Sequence, residues 1–131
     1  MRIKDYLNQL LSSITKNPYI ESQNLSFEEH PPNAAYITGT IVLINSSKLH
    51  FKEFIVFKSK SIHFLKYAYN YSDKDATTIF RYDNALDPQA KMLSTYPEHK
   101  HISKKILPVR RPAIEDVLKE ISDFIEQGMK R

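Results

Sequence analysis

The stretch Leu49–Asp83, LHFKEFIVFKSKSIHFLKYAYNYSDKDATTIFRYD, decides the fold. Its apolar residues recur at nearly every second position and are drawn mostly from Phe, Tyr, Ile and Val, the types that fit a pleated, half-buried surface. Polar breaks at Lys58-Ser59-Lys60-Ser61 and Asp73-Lys74-Asp75 divide it into three strands, 49–57, 62–71 and 77–83. Connections this short force antiparallel neighbours.

Outward from this centre, Asn45-Ser46-Ser47-Lys48 reads as another turn, preceded by a strand over 35–44. The paired prolines of His30-Pro31-Pro32-Asn33 end ladder bonding and separate it from a first strand over 19–28. At both ends the period changes to that of a helix. Ile3, Tyr6, Leu7, Leu10, Leu11 and Ile14 form one stripe, predicting a helix over 3–16. Ile114, Val117, Leu118, Ile121, Phe124 and Ile125 form another, with Pro112 near its start, Glu115 and Asp116 at the dipole's positive end and Gly128 as a stop. The expectation is a single α+β domain over 1–131: a five-stranded antiparallel meander sheet flanked by an N-terminal and a C-terminal helix.

A chain of 131 residues, 41% hydrophobic, supplies one core without covalent staples. Cysteine is absent, which removes disulfides, thiolate nucleophiles and cysteine-ligated metal sites. No apolar run approaches the roughly 20 residues that cross a bilayer, so a cytoplasmic protein with no membrane partner is expected. The net charge of +4 is unevenly spread. Within 98–111, Lys100, Lys104, Lys105, Arg110 and Arg111 face Glu98 alone. The surrounding stretch, 84–111, lacks periodicity and reads as a long basic loop, of a length uncommon unless it binds, covers or catalyses something.

Glu53 stands among hydrophobes in the alternation Leu49, Phe51, Glu53, Ile55, Phe57, where a carboxylate needs a partner or a cleft. Four-residue turns would set Phe57 against Ile62, Ser72 against Thr77 and Ile44 against Leu49. Thr40, Glu53, Lys66 and Asp83 then fall in one row, with Ala68 opposite Arg81. Such a row is either a salt-bridged network or part of a site, and strand five leads Arg81-Tyr82-Asp83-Asn84 straight into the basic loop. The other face would carry Tyr67, Tyr69 and Tyr71 near Phe80 and Tyr82, as helix packing or as stacking platforms for bases.

That loop holds His99 and His101, whose rings face one side in extended chain. Two imidazoles near neutral pH can act as base and acid, and cleavage of RNA by its own 2′-hydroxyl requires those two proton transfers plus a cation for the developing charge. Arg81, Lys100 or Lys66 could supply that cation; this reading needs no cofactor and no metal. The same imidazoles with Asp83 or Glu53 could instead hold a divalent metal for hydrolysis. A non-catalytic module that binds nucleic acid or a protein through its cations and tyrosines is the remaining alternative. His30, His50 and His63 have no comparable setting and read as structural or surface residues.

Ser47-Lys48-Leu49 with Glu53, then Lys66-Tyr67-Ala68-Tyr69, Arg81-Tyr82-Asp83-Asn84 and Pro97-Glu98-His99-Lys100-His101 together resemble the TumE-like family of toxin–antitoxin proteins, over about residues 36–125. The resemblance implies a small toxin acting on RNA and neutralised by a cognate antitoxin protein, and it marks Glu53, Arg81, Asp83, Asn84, His99 and His101. Many members of the family carry histidines near the position of Ala85 to Pro88; this chain has none there, which leaves His99 and His101. The reading assigns His99 and His101 as acid–base pair, Arg81 to charge stabilisation, Glu53 and Asp83 to orientation, and Lys66, Lys100, Lys104, Lys105, Arg110 and Arg111 to RNA phosphates. A homo-oligomer is compatible with the sequence but not written in it.

Overall fold

Strand alternation divides the central sequence into two faces with opposite fates. Leu49, Phe51, Glu53 and Ile55 are buried, whereas His50 and Lys52 between them are exposed. In the computed structural model, which describes residues 3–129, the elements are α1 (Ile3–Thr15), β1 (Ile20–His30), β2 (Ala34–Leu43), β3 (Lys48–Lys58), β4 (Ser61–Ser72), β5 (Thr78–Asp83), β6 (His99–Ile102), β7 (Lys105–Leu107) and α2 (Ile114–Met129). The strands form one antiparallel meander in chain order.

The α+β class and the two flanking helices match the sequence reading, but the sheet has seven strands and not five. The two extra strands lie in the stretch read as one loop. β6 has four residues and β7 three, too short for a period-two signal, and they are fixed by pairing, β6 onto the edge of β5 and β7 onto β6. Ser103, at a φ of 55°, turns the chain between them.

The helices lay their stripes on a single face of the sheet. Tyr6, Leu10 and Ile14 of α1, with Ile114, Val117, Leu118, Ile121 and Ile125 of α2, join Ile37, Ile41, Leu49, Phe51, Ile55, Tyr69, Tyr71, Phe80 and Tyr82 in one core. The tyrosine stripe is therefore helix packing. The opposite face is polar and forms a groove lined by Asn24, Ser26, Thr38, Thr40, His50, Lys52, Asn70 and Arg81.

The expected cross-strand row is not formed. Phe57 does oppose Ile62, and that register continues to Ile55 opposite Phe64, but the next pair is Phe54 with Lys66. Leu65 is the extra residue of a β-bulge, and it and Lys66 both point to solvent. One inserted residue exchanges the faces of everything beyond it. Glu53 consequently opposes Tyr67 in place of Lys66. Separately, the β2–β3 turn sets Ile41 and not Ile44 against Leu49, which puts Ile37 opposite Glu53 in place of Thr40, and a further irregularity at Tyr71/Ser72 leaves Asp83 opposite Ala68. Glu53 lies on the helix-covered face and Asp83 on the open one.

Gly39 sits inside the covered face, opposite both Leu25 and Phe51. A Cβ there would lie 2.5 Å from Leu25 Cδ2 and 2.5 Å from Phe51 Cε1. Gly39→Ala is therefore expected to lower stability by about 1–3 kcal/mol, as overpacking of a filled core does. Urea unfolding checks this; an unchanged midpoint would refute the tight contact.

Candidate functional site

Two polar clusters occupy the two faces. The covered one centres on Glu53, which is fully buried. Tyr6 Oη of α1 donates to Oε1 at 2.5 Å, Tyr69 Oη of β4 donates to Oε2, and Arg111 Nη2 donates to Oε2 at 3.1 Å. Arg111 Nε also donates to Tyr69 Oη at 3.0 Å, and its guanidinium lies 3.3 Å from the ring centroid of Phe64. Burial, then the negative charge of Glu53, pushes the phenols of Tyr6 and Tyr69 far above the usual tyrosine range. Burial works against the charge of Arg111, but Tyr69, Glu53 and Tyr6 outweigh it and the group is held charged. Here Glu53 ties helix to sheet and lies on the opposite face from His99 and Asp83.

The open-face cluster is built by β5 and β6. Arg81 and Asp83 are two residues apart and share a face, as do His99 and His101. The ladder pairs Asp83 with His99 and Arg81 with His101, so four functional side chains form a square across two strands. Arg81 Nε donates to Asp83 Oδ2 at 2.7 Å, and the backbone N–H of Ala85 donates to Oδ1 at 2.9 Å. His99 Nε2 lies 3.1 Å from Asp83 Oδ1, and the His99 and His101 rings meet edge to face, 4.7 Å between centroids. His99 Nδ1 donates to the Pro97 carbonyl at 2.7 Å, since a carbonyl can only accept.

Exposure separates the roles. The side chain of His99 is 1% exposed, those of His101 and Arg81 32% and 38%. His99 is thus held from below while His101 and Arg81 reach the surface, with Asp87 Oδ2 3.9 Å from His101 Nε2. Beside them, Lys52, Lys66, Arg81 and Asp83 line a second depression roofed by Ala85, Leu86 and Pro97.

The expected phosphate contacts divide as well. Lys66, Lys104 and Lys105 are exposed. Arg110 pairs with Glu98 at 3.1 Å. Arg111 is engaged with Glu53, and Lys100 turns to the helix side, 2.7 Å from Glu120 and over the Tyr82 ring at 4.7 Å. Burial opposes the charge of Lys100, and hydrogen bonds with Glu120 and Tyr82 outweigh it. Asn84 is spent on the backbone beside the bulge: its Oδ1 accepts from Tyr67 N and its Nδ2 donates to Leu65 O, both at 3.0 Å. Sequence reasoning missed Asp87, which carries no periodic signal, and Tyr6 and Tyr69 as partners of Glu53, because core stripes do not reveal which hydroxyl meets which acid.

Among the described residues no helix is long and apolar enough to cross a membrane. The family model described as Toxin TumE matches residues 9–129. Neither the curated proteins nor the solved structures give a match.

Removing the Glu53 carboxylate strands a buried cation and two phenols. Glu53→Ala is expected to cost about 3–5 kcal/mol by urea unfolding, the range for breaking one side of a buried ion pair. Alkaline titration is a second check. The ordinary tyrosine value is 10.0, and Tyr6 and Tyr69 lie above it when folded. Below about pH 10 their contribution is complete; above it the unfolded chain releases protons that the folded chain keeps, so stability falls as pH rises. That decline should be shallower in Tyr6→Phe than in wild type, and equal slopes would refute the assignment.

Proposed function

From the premise that this chain belongs to the TumE toxin family, which implies a toxin role and a cognate antitoxin partner, we propose that it is an endonuclease acting on RNA at Arg81, Asp83, His99 and His101. The observation that carries this reading is the square itself: β5 and β6 set a guanidinium and an imidazole side by side at the surface, over a carboxylate and a buried imidazole.

The division of labour follows from the contacts. Arg81 gives its Nε to Asp83, which leaves its two terminal amino groups to receive the non-bridging oxygens of a phosphate. Charge developing on a phosphorane beside it would be stabilised there. His101, which reaches solvent, would take the proton of the 2′-hydroxyl and return it to the departing 5′-oxygen, with Asp83 and His99 behind it. His99 is a positioning residue, fixed by Pro97 and buried against His101. The neighbouring groove offers Lys52, Asn70, Thr38, Thr40 and Ser26, a polar track suited to a sugar–phosphate backbone.

His101→Ala is expected to lower RNA cleavage by at least about 100-fold, within the range for loss of a proton-transfer group, and to abolish growth inhibition while leaving RNA affinity nearly intact. Lys52→Ala should weaken RNA binding across sequences and reduce the slope of log affinity against log salt by about 1. Parallel loss of affinity and cleavage in His101→Ala would overturn the enzymatic reading in favour of a binding module.

A further inference from the structure

His99 Nε2 is the buried side-chain nitrogen left without a hydrogen-bond partner among the described residues. It lies 3.1 Å from Asp83 Oδ1, yet the contact lacks hydrogen-bond geometry. Because Nδ1 carries the proton given to Pro97, the neutral ring presents a lone pair at Nε2. Two acceptors this close in a buried place repel unless something positive lies between them.

We propose that Asp83, His99 and His101 bind one divalent transition-metal ion. A ligand atom from each lies within 4.8 Å of the other two. For metal–ligand bonds of about 2.1 Å, adjacent vertices of an octahedron are about 3.0 Å apart, close to the separation of His99 Nε2 and Asp83 Oδ1. His101 completes a two-histidine, one-carboxylate set by a small movement of its surface ring, which Asp87 faces.

The outer contacts are those that metal ligands require. Pro97 fixes the tautomer and orientation of His99, Arg81 holds the second oxygen of Asp83, and the Ala85 N–H fixes the first. Two imidazoles favour zinc, copper, iron or nickel over magnesium or calcium. His99 and Asp83 are buried, so coordination positions for water or a phosphate oxygen lie on the side where His101 and Arg81 reach the surface. With the ion bound, the lone pair that His101 would use for proton transfer is taken up by the metal, and a metal-held water would stand in as the base; that part rests on the RNA reading above, and the binding does not.

The test uses the full chain stripped with chelator and titrated calorimetrically with Zn²⁺, then with Mg²⁺. One equivalent of Zn²⁺ should bind and raise the melting temperature by several degrees, with Mg²⁺ ineffective at the same concentration. His101→Ala, at a partly exposed position that spares the fold, should weaken Zn²⁺ binding by more than about 100-fold, beyond the usual loss from an outer-shell partner. Asp83→Asn should do the same, and His50→Ala should bind as wild type does. Absence of stoichiometric uptake by the wild type would overturn the proposal and leave a proton on Nε2 as the charge between the two groups. Undiminished uptake in His101→Ala would also overturn it, assigning the binding to other histidines. Intact uptake without RNA cleavage would instead count against the nuclease reading alone.

Discussion

The carboxylate of Glu53 is the constraint on which the rest of the arrangement depends. It is completely buried, and its three donors come from three separate parts of the chain: Tyr6 on α1, Tyr69 on β4, and Arg111 in the segment leading to α2. An ion pair in such a place returns little net stability, because desolvation of both charges offsets most of their attraction. Its effect is selective. Packings that place α1 or the Arg111 segment elsewhere leave a buried charge unmatched, and these alternatives are penalised far more than the native state is stabilised.

The bulge at Leu65 decides which chemistry each face receives. Without the extra residue, the pairing of Phe57 with Ile62 would continue to Glu53 with Lys66, a solvated cation beside an acid. With it, β4 places Tyr67, Tyr69 and Tyr71 in the core together with Glu53, and leaves Lys66 outside. The disruption is repaired locally, since the Asn84 side chain accepts from Tyr67 N and donates to Leu65 O. Asn84 immediately follows Asp83, so the residue that closes the bulge also ends the strand that carries the site.

What could be read in the sequence follows how strongly each feature repeats. Two helical stripes and three long alternating strands around the central hairpins gave the α+β class, the flanking helices and most strand boundaries. β6 and β7 left no such trace: they are four and three residues long, and their strand form is imposed in turn, by the edge of β5 on β6 and by β6 on β7. The placement of Arg81 with Asp83 and of His99 with His101 on common faces was legible, because residues two apart on a strand share a side. Their union across one ladder was not, because β6 was unseen. Glu53 was identifiable as anomalous, but its face relative to Asp83 depended on one unsignalled bulge residue.

The two clusters are not independent, although a sheet separates them. Glu98 links them: its Oε1 accepts from Tyr67 Oη and from the Arg111 N–H, both at 3.2 Å, and its Oε2 accepts from Arg110 at 3.1 Å. Burial, then the charge of Glu98, raises the Tyr67 phenol well above the ordinary tyrosine range, so this donor stays protonated. Pro97 on one side of Glu98 supplies the carbonyl that orients His99 on the other. Arg111, pinned by Glu53, therefore fixes through its backbone the short segment that presents His99 to Asp83. The buried acid contributes no group to the open face. It determines instead how rigidly that face holds an imidazole whose unpaired nitrogen has a use only if its direction is kept.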